Sequence, residues 1–139
     1  MKYGGGDFDF SYEGVVDAQG RPHGPGTATD AYGDLFTGEF HHGEMTGVFS
    51  WYTRSGHKGY EGGYLKGSRE GQGTMWYEDC MSGEIHHGLF KDDRLIRGTI
   101  TYPDGRIEHG LFKDYNFIRG TITYPDGRVE QINSQQFAE

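Results

Sequence analysis

Apolar and aromatic residues recur at every second position in short runs along this chain, as at Phe8, Phe10 and Tyr12, and again at Phe36, Gly38 and Phe40. A period of two over four to eight residues predicts half-buried β-strands rather than helices. The pattern is clearest in residues 88–108, GLFKDDRLIRGTITYPDGRIE, because residues 110–130, GLFKDYNFIRGTITYPDGRVE, repeat it with a period of 22 residues and changes only at positions 93, 94, 95 and 107. Within the unit, Thr99, Ile100, Thr101 and Tyr102 favour a strand and Pro103-Asp104-Gly105 supplies the turn. Proline presets φ for the first corner, aspartate bonds the local backbone, and glycine takes the φ > 0 position that closes the bulge. Near-copies in tandem predict one supersecondary unit stacked on itself.

The same alternation organises the rest of the chain. Residues 1–11 read as a capping strand behind a Gly4-Gly5-Gly6 tip, and residues 131–139 as a tail whose Ile132 and Phe137 cover the last hairpin. Between them lie five units, about 12–35, 36–59, 60–85, 86–107 and 108–130; the third ends in a longer loop, residues 79–83. Side chains alternate across a strand, so Phe36, Gly38 and Phe40 share a face, as do Gly73, Met75 and Tyr77, and Gly98, Ile100 and Tyr102. Glycine inside a strand costs ~0.5–1 kcal/mol. A row of glycines therefore implies that neighbouring rings lie over the bare backbone. The expected fold is all-β, an elongated single-layer antiparallel meander of β-hairpin repeats, about 50 Å long at two strands per unit.

Stacked, the units share [Tyr/Phe]-x-Gly-x-[Phe/Tyr], a short turn, then Gly-x-Gly-Thr and a longer turn. Over residues 12–130 this pattern resembles the MORN repeat, most closely at residues 60–77, YEGGYLKGSREGQGTMWY. There are departures. Phe49 stands at the second glycine position of the second unit, His86 and Glu108 replace the opening aromatic of the fourth and fifth, and Ile96 and Ile118 replace the first glycine of Gly-x-Gly. The resemblance implies MORN β-hairpin repeats that form a non-catalytic interaction module or scaffold subunit. By the same resemblance, a partner polypeptide, helical or extended, lies in the glycine–aromatic groove, and array ends self-associate. Cytoplasmic settings follow, cytoskeletal or ciliary among them. Two other roles known for such arrays are a phospholipid-binding membrane tether and a regulatory module of an enzyme complex.

Composition sharpens this picture. Glycine supplies 25 of 139 residues, yet aromatics reach 15%, which excludes collagen-like and disordered chains. With 33% hydrophobic residues and a mean hydropathy of −0.78, a thick core is not expected. The pattern offers no amphipathic helix to cover the aromatic face. Phe36, Phe40, Trp51, Tyr60, Tyr64, Met75, Tyr77, Phe90, Tyr102, Phe112 and Tyr124 are thus both the sheet's own packing and the expected partner-binding groove. Trp51 and Tyr64, near the middle of the array, are the expected hot spots, whereas Tyr52 and Trp76 alternate onto the other face. Arg97 and Arg119, and Arg106 and Arg128, each lie one period apart and are candidate electrostatic contacts to an acidic partner.

Charge and candidate chemistry exclude more than they add. The net charge is −8, and residues 1–88 carry six Lys/Arg against thirteen Asp/Glu. That balance argues against nucleic acid and disfavours anionic membrane lipid. The single cysteine, Cys80, leaves no internal disulfide and fits a reducing compartment. No signal peptide, long apolar run or lipidation box is evident, so a soluble cytoplasmic protein is expected. Asp79, Cys80 and His86 form no convincing nucleophilic set, since nothing basic adjoins the thiol. Gly4-Gly5-Gly6 and Gly71-Gln72-Gly73 precede no helix and are not phosphate loops. His41-His42 and His86-His87 would each point one ring to each face of a strand, and no further spacing completes a metal site. The expectation is no enzyme, no cofactor and no metal.

Overall fold

The computed structural model describes residues 2–5, 8–77 and 83–133. It is the expected open, single-layer antiparallel meander, with no helix among the described residues. The strands are β1 (Lys2–Gly5), β2 (Phe8–Val16), β3 (Pro22–Thr29), β4 (Leu35–Phe40), β5 (Gly47–Tyr52) and β6 (Lys58–Leu65), then β7 (Ser68–Trp76), β8 (Ile85–Lys91), β9 (Arg94–Thr101), β10 (Ile107–Lys113), β11 (Asn116–Thr123) and β12 (Val129–Asn133). Sheet order is chain order throughout. Asp79 and Cys80, most of the loop at 79–83, Gly6 and Phe137 lie outside the described residues.

The chain forms two compact units, Met1–Ser68 and Arg69–Glu139. A meander contacts only its neighbours, so such division is natural. The 22-residue repeat lies within the second unit, where β10 and β11 reproduce β8 and β9.

Two kinds of turn join the strands. In the longer kind the Pro-Asp-Gly reading holds. The Tyr102 N–H donates to the Arg106 carbonyl and the Gly105 N–H to that of Tyr102, both at 2.9 Å. Asp104 Oδ1 accepts the Arg106 N–H at 2.9 Å, and Gly105 has φ 94°. The shorter kind has two central residues at positive φ, the type I′ signature that matches strand twist. His42-Gly43 (45°, 88°) ends in glycine, but Asp92-Asp93 (50°, 70°) and Asp114-Tyr115 (51°, 70°) do not.

Register aligns the glycines into rows. In the first unit the row runs Gly14, Gly26, Gly38, Phe49, Gly62. In the second it runs Gly73, Gly88, Gly98, Gly110, Gly120 and ends at Ile132. The second row is a matter of space: a Cβ on Gly98 would collide with the His87 carbonyl oxygen and the Gly88 Cα. In the first unit, rings occupy the slots, with Tyr12 over Gly26 and Phe49 over Gly38. Edge-to-face contacts link Tyr12, Phe40, Phe49, Tyr64 and Tyr60 at 4.9–5.7 Å between centroids. This ring chain is the first unit's core, and Tyr60 is 0% exposed.

Candidate functional site

In the second unit the face that carries Gly88, Gly98 and Gly110 is hollow. The opening positions of its hairpins hold His86, Glu108 and Glu130 instead of rings. An open concavity of about 420 Å³ results. Phe90, Leu95, Ile100 and Phe112 form its buried floor. Tyr77, His86, Tyr102 and Glu108 wall it, and Asp93, Tyr115 and Phe117 are also in its lining.

Two β-bulges complete the floor. Leu89 pairs with Arg97 but Phe90 with Leu95, so Ile96 is skipped. Leu111 pairs with Arg119 but Phe112 with Phe117, so Ile118 is skipped in the same way. A skipped residue reverses the alternation beyond it. Leu95 and Phe117, which strict alternation sends outward, turn inward instead, and Phe117 lies 5.2 Å from the Phe112 ring. The isoleucines at the missing glycine positions are thus the bulge residues.

Every wall group is held by a neighbour. The Tyr102 hydroxyl donates to Glu108 Oε1 at 2.6 Å. Burial, and then the Glu108 carboxylate, push that phenol far above its usual range, so it stays a donor. The Tyr124 hydroxyl repeats the bond to Glu130 at 2.7 Å, and that carboxylate raises it too. His86 bonds Glu84 at 2.8 Å and packs against Tyr77 at 4.7 Å. Asp93 accepts the Arg69 N–H at 2.7 Å and its Nε–H at 3.1 Å. The lining is therefore pre-organised, acidic at its walls and apolar below.

The sequence-derived groove residues divide by burial. Phe40, Tyr60, Tyr64, Met75, Phe90 and Phe112 are buried and make the units' own cores. Phe36, Trp51, Tyr77, Tyr102 and Tyr124 are half-buried and keep accessible ring surface. Trp51 lies over Gly59 and parallel to Phe36, so it and Tyr64 carry packing in the first unit. The arginine pairs also part company. Arg97 and Arg119 stand on the outer face, one residue before Gly98 and Gly120. Arg106 and Arg128 lie on the rings of Tyr102 and Tyr124, each at 4.2 Å. One partner along one face cannot meet all four.

The histidine pairs differ as well. His86 faces inward to Tyr77 while His87 faces outward to Thr74 at 2.6 Å, as alternation requires. At His41-His42 the alternation fails, because His42 sits at φ 45° in a type I′ turn. Both rings then gather with His23 of β3, at centroid distances of 4.1–5.4 Å. No protein-family model matches the chain, and neither does any curated protein in the comparison.

Proposed function

We propose that the chain is a MORN-type repeat module that holds a segment of a partner polypeptide on the inner face of its second unit, as a non-catalytic subunit of a larger assembly. One observation carries this reading: the concavity of about 420 Å³, floored by Phe90, Leu95, Ile100 and Phe112 and walled by Glu84, His86 and Glu108. An apolar floor with a few oriented polar groups is the usual anatomy of a binding site. The glycine row crosses β7 to β12, roughly 24 Å at about 4.8 Å per strand. A helix of about 16 residues matches that span. The favoured segment places one or two apolar anchors on the floor and a lysine or arginine against the carboxylates.

Strained turns support the same face. Asp93 and Tyr115, at φ 70° where glycine is the default, both lie in the lining of the concavity. Aspartate tolerates such an angle, whereas a tyrosine meets a steric cost there. The test is selection of a displayed peptide library on the full chain, followed by crosslinking of the enriched peptide. Crosslinks are expected within residues 77–117. Tyr77→Ala or Phe117→Ala should weaken binding at least about tenfold, and Tyr52→Ala or Trp76→Ala should not. Crosslinks concentrated on the outer face would reject the proposal.

A further inference from the structure

We propose that His23, His41 and His42 bind a divalent first-row transition-metal cation of the zinc class, beside the β4–β5 turn of the first unit. The three side chains bring one ligand nitrogen each to within 4.8 Å of one another. Zinc bound by imidazoles at about 2.0–2.1 Å holds its ligand nitrogens about 3.3 Å apart. His41 and His42 are exposed, so turning their rings closes that gap. Imidazole donors without thiolates select zinc, nickel or copper over magnesium or calcium.

His42 is already oriented for the role. Its Nδ1 lies 2.9 Å from Asp17 Oδ2. The Arg21 Nη2 also approaches that nitrogen, at 3.4 Å, but the shorter carboxylate contact sets the tautomer: Asp17 accepts the Nδ1–H, which leaves the lone pair of His42 on Nε2. This is the carboxylate–histidine arrangement that fixes tautomer and aim in metal sites. Asp17 is itself anchored. Its Oδ1 accepts the N–H groups of Gln19 and Arg21 at 2.9 Å each, and its Oδ2 the Arg21 Nε–H at 2.9 Å. Arg21 offsets the charge of Asp17, so affinity rests on the imidazoles.

The backbone fixes the cluster. His42-Gly43 forms the tight turn between β4 and β5, and the Gly43 N–H donates to the Pro22 carbonyl at 2.7 Å, next to His23. His23 Nδ1 accepts the His42 N–H at 3.0 Å, and the two rings stack at 4.1 Å. Stacked rings cannot aim at one ion, so His23 coordinates by turning out of the stack, which exchanges the His42 N–H on its Nδ1 lone pair for the cation. Water fills the remaining position.

The experiment is calorimetric titration of the full chain, free of any polyhistidine tag, with zinc chloride, alongside imidazole 1H–15N spectra. One zinc per chain is expected, with shifts confined to His23, His41 and His42. The combined His41→Gln, His42→Asn change should weaken binding at least about thirtyfold, and Asp17→Asn about tenfold. Asparagine is chosen at 42 because it tolerates positive φ, and circular dichroism checks the fold. His87→Gln with His109→Gln, on the outer face, should change nothing. No zinc binding up to millimolar concentration, or binding that survives the His41/His42 change, overturns the proposal. Unchanged affinity in Asp17→Asn overturns the orienting role of that carboxylate.

Discussion

Each unit lays a row of glycines across one face of its strands, and the two units flank that row with different side chains. In the first, hairpins open with Tyr12, Phe36 and Tyr60, and Phe49 fills the row itself, so rings interlock edge to face. In the second, the row is glycine throughout from Gly73 to Gly120, and the opening positions hold His86, Glu108 and Glu130. Across the turn the Tyr77 ring packs on His86, and the hydroxyls of Tyr102 and Tyr124 donate to Glu108 and Glu130. The difference teaches that one backbone can close its face with rings or keep it open. The choice rests on a handful of positions, the opening residues and the two bulges at Ile96 and Ile118, and leaves the order of strands alone.

The comparison breaks most sharply at the glycines. Gly98→Val drives a side chain into the His87 carbonyl and the Gly88 Cα at φ 147°. The expected loss exceeds about 5 kcal/mol, read as a lost native circular dichroism spectrum. Phe49→Ala restores a small residue to the first unit's row but removes a ring 1% exposed. It should cost about 3–5 kcal/mol by urea denaturation; a cost under 1 kcal/mol would mean that the ring chain is not a core. Asp17→Asn should lower the melting temperature of the first unit at pH 7. The Asp17 carboxyl is depressed on folding, chiefly by its bond to His42, so its contribution is complete above its unfolded value of about 4. It is lost as pH falls through the folded value, and the difference between variant and parent should close well below pH 4. The smallest effect is expected at Tyr115→Gly. Relief of φ 70° is worth roughly 1 kcal/mol, and losing the exposed contact with Arg94 at 5.4 Å takes back about half. A net gain of about 0.5 kcal/mol in urea would mark the second unit's turn as strained, and a net loss would deny it.

Much of this was legible beforehand. Alternation at Phe36, Gly38 and Phe40 placed the rings and glycines on one face, and Pro103-Asp104-Gly105 announced its turn. The departures at His86, Glu108, Ile96 and Ile118 were visible too, but their consequence was not. A bulge is a shift between two strands, so nothing local to Ile96 says that Leu95 turns inward. The histidine cluster was hidden for a related reason. Alternation separates His41 from His42, and only the left-handed backbone at His42, beside His23 from another strand, reunites them. The expectation that adjacent histidines face apart holds at 86–87 and fails at 41–42.

The most direct measurement refills the hollow. His86→Tyr combined with Glu108→Tyr gives the second unit the opening rings of the first. Affinity for the peptide selected on the parent chain, by fluorescence polarisation, should fall at least about thirtyfold, while the melting temperature holds or rises. Unchanged affinity in that folded variant would contradict the claim that the open inner face of the second unit is the working surface.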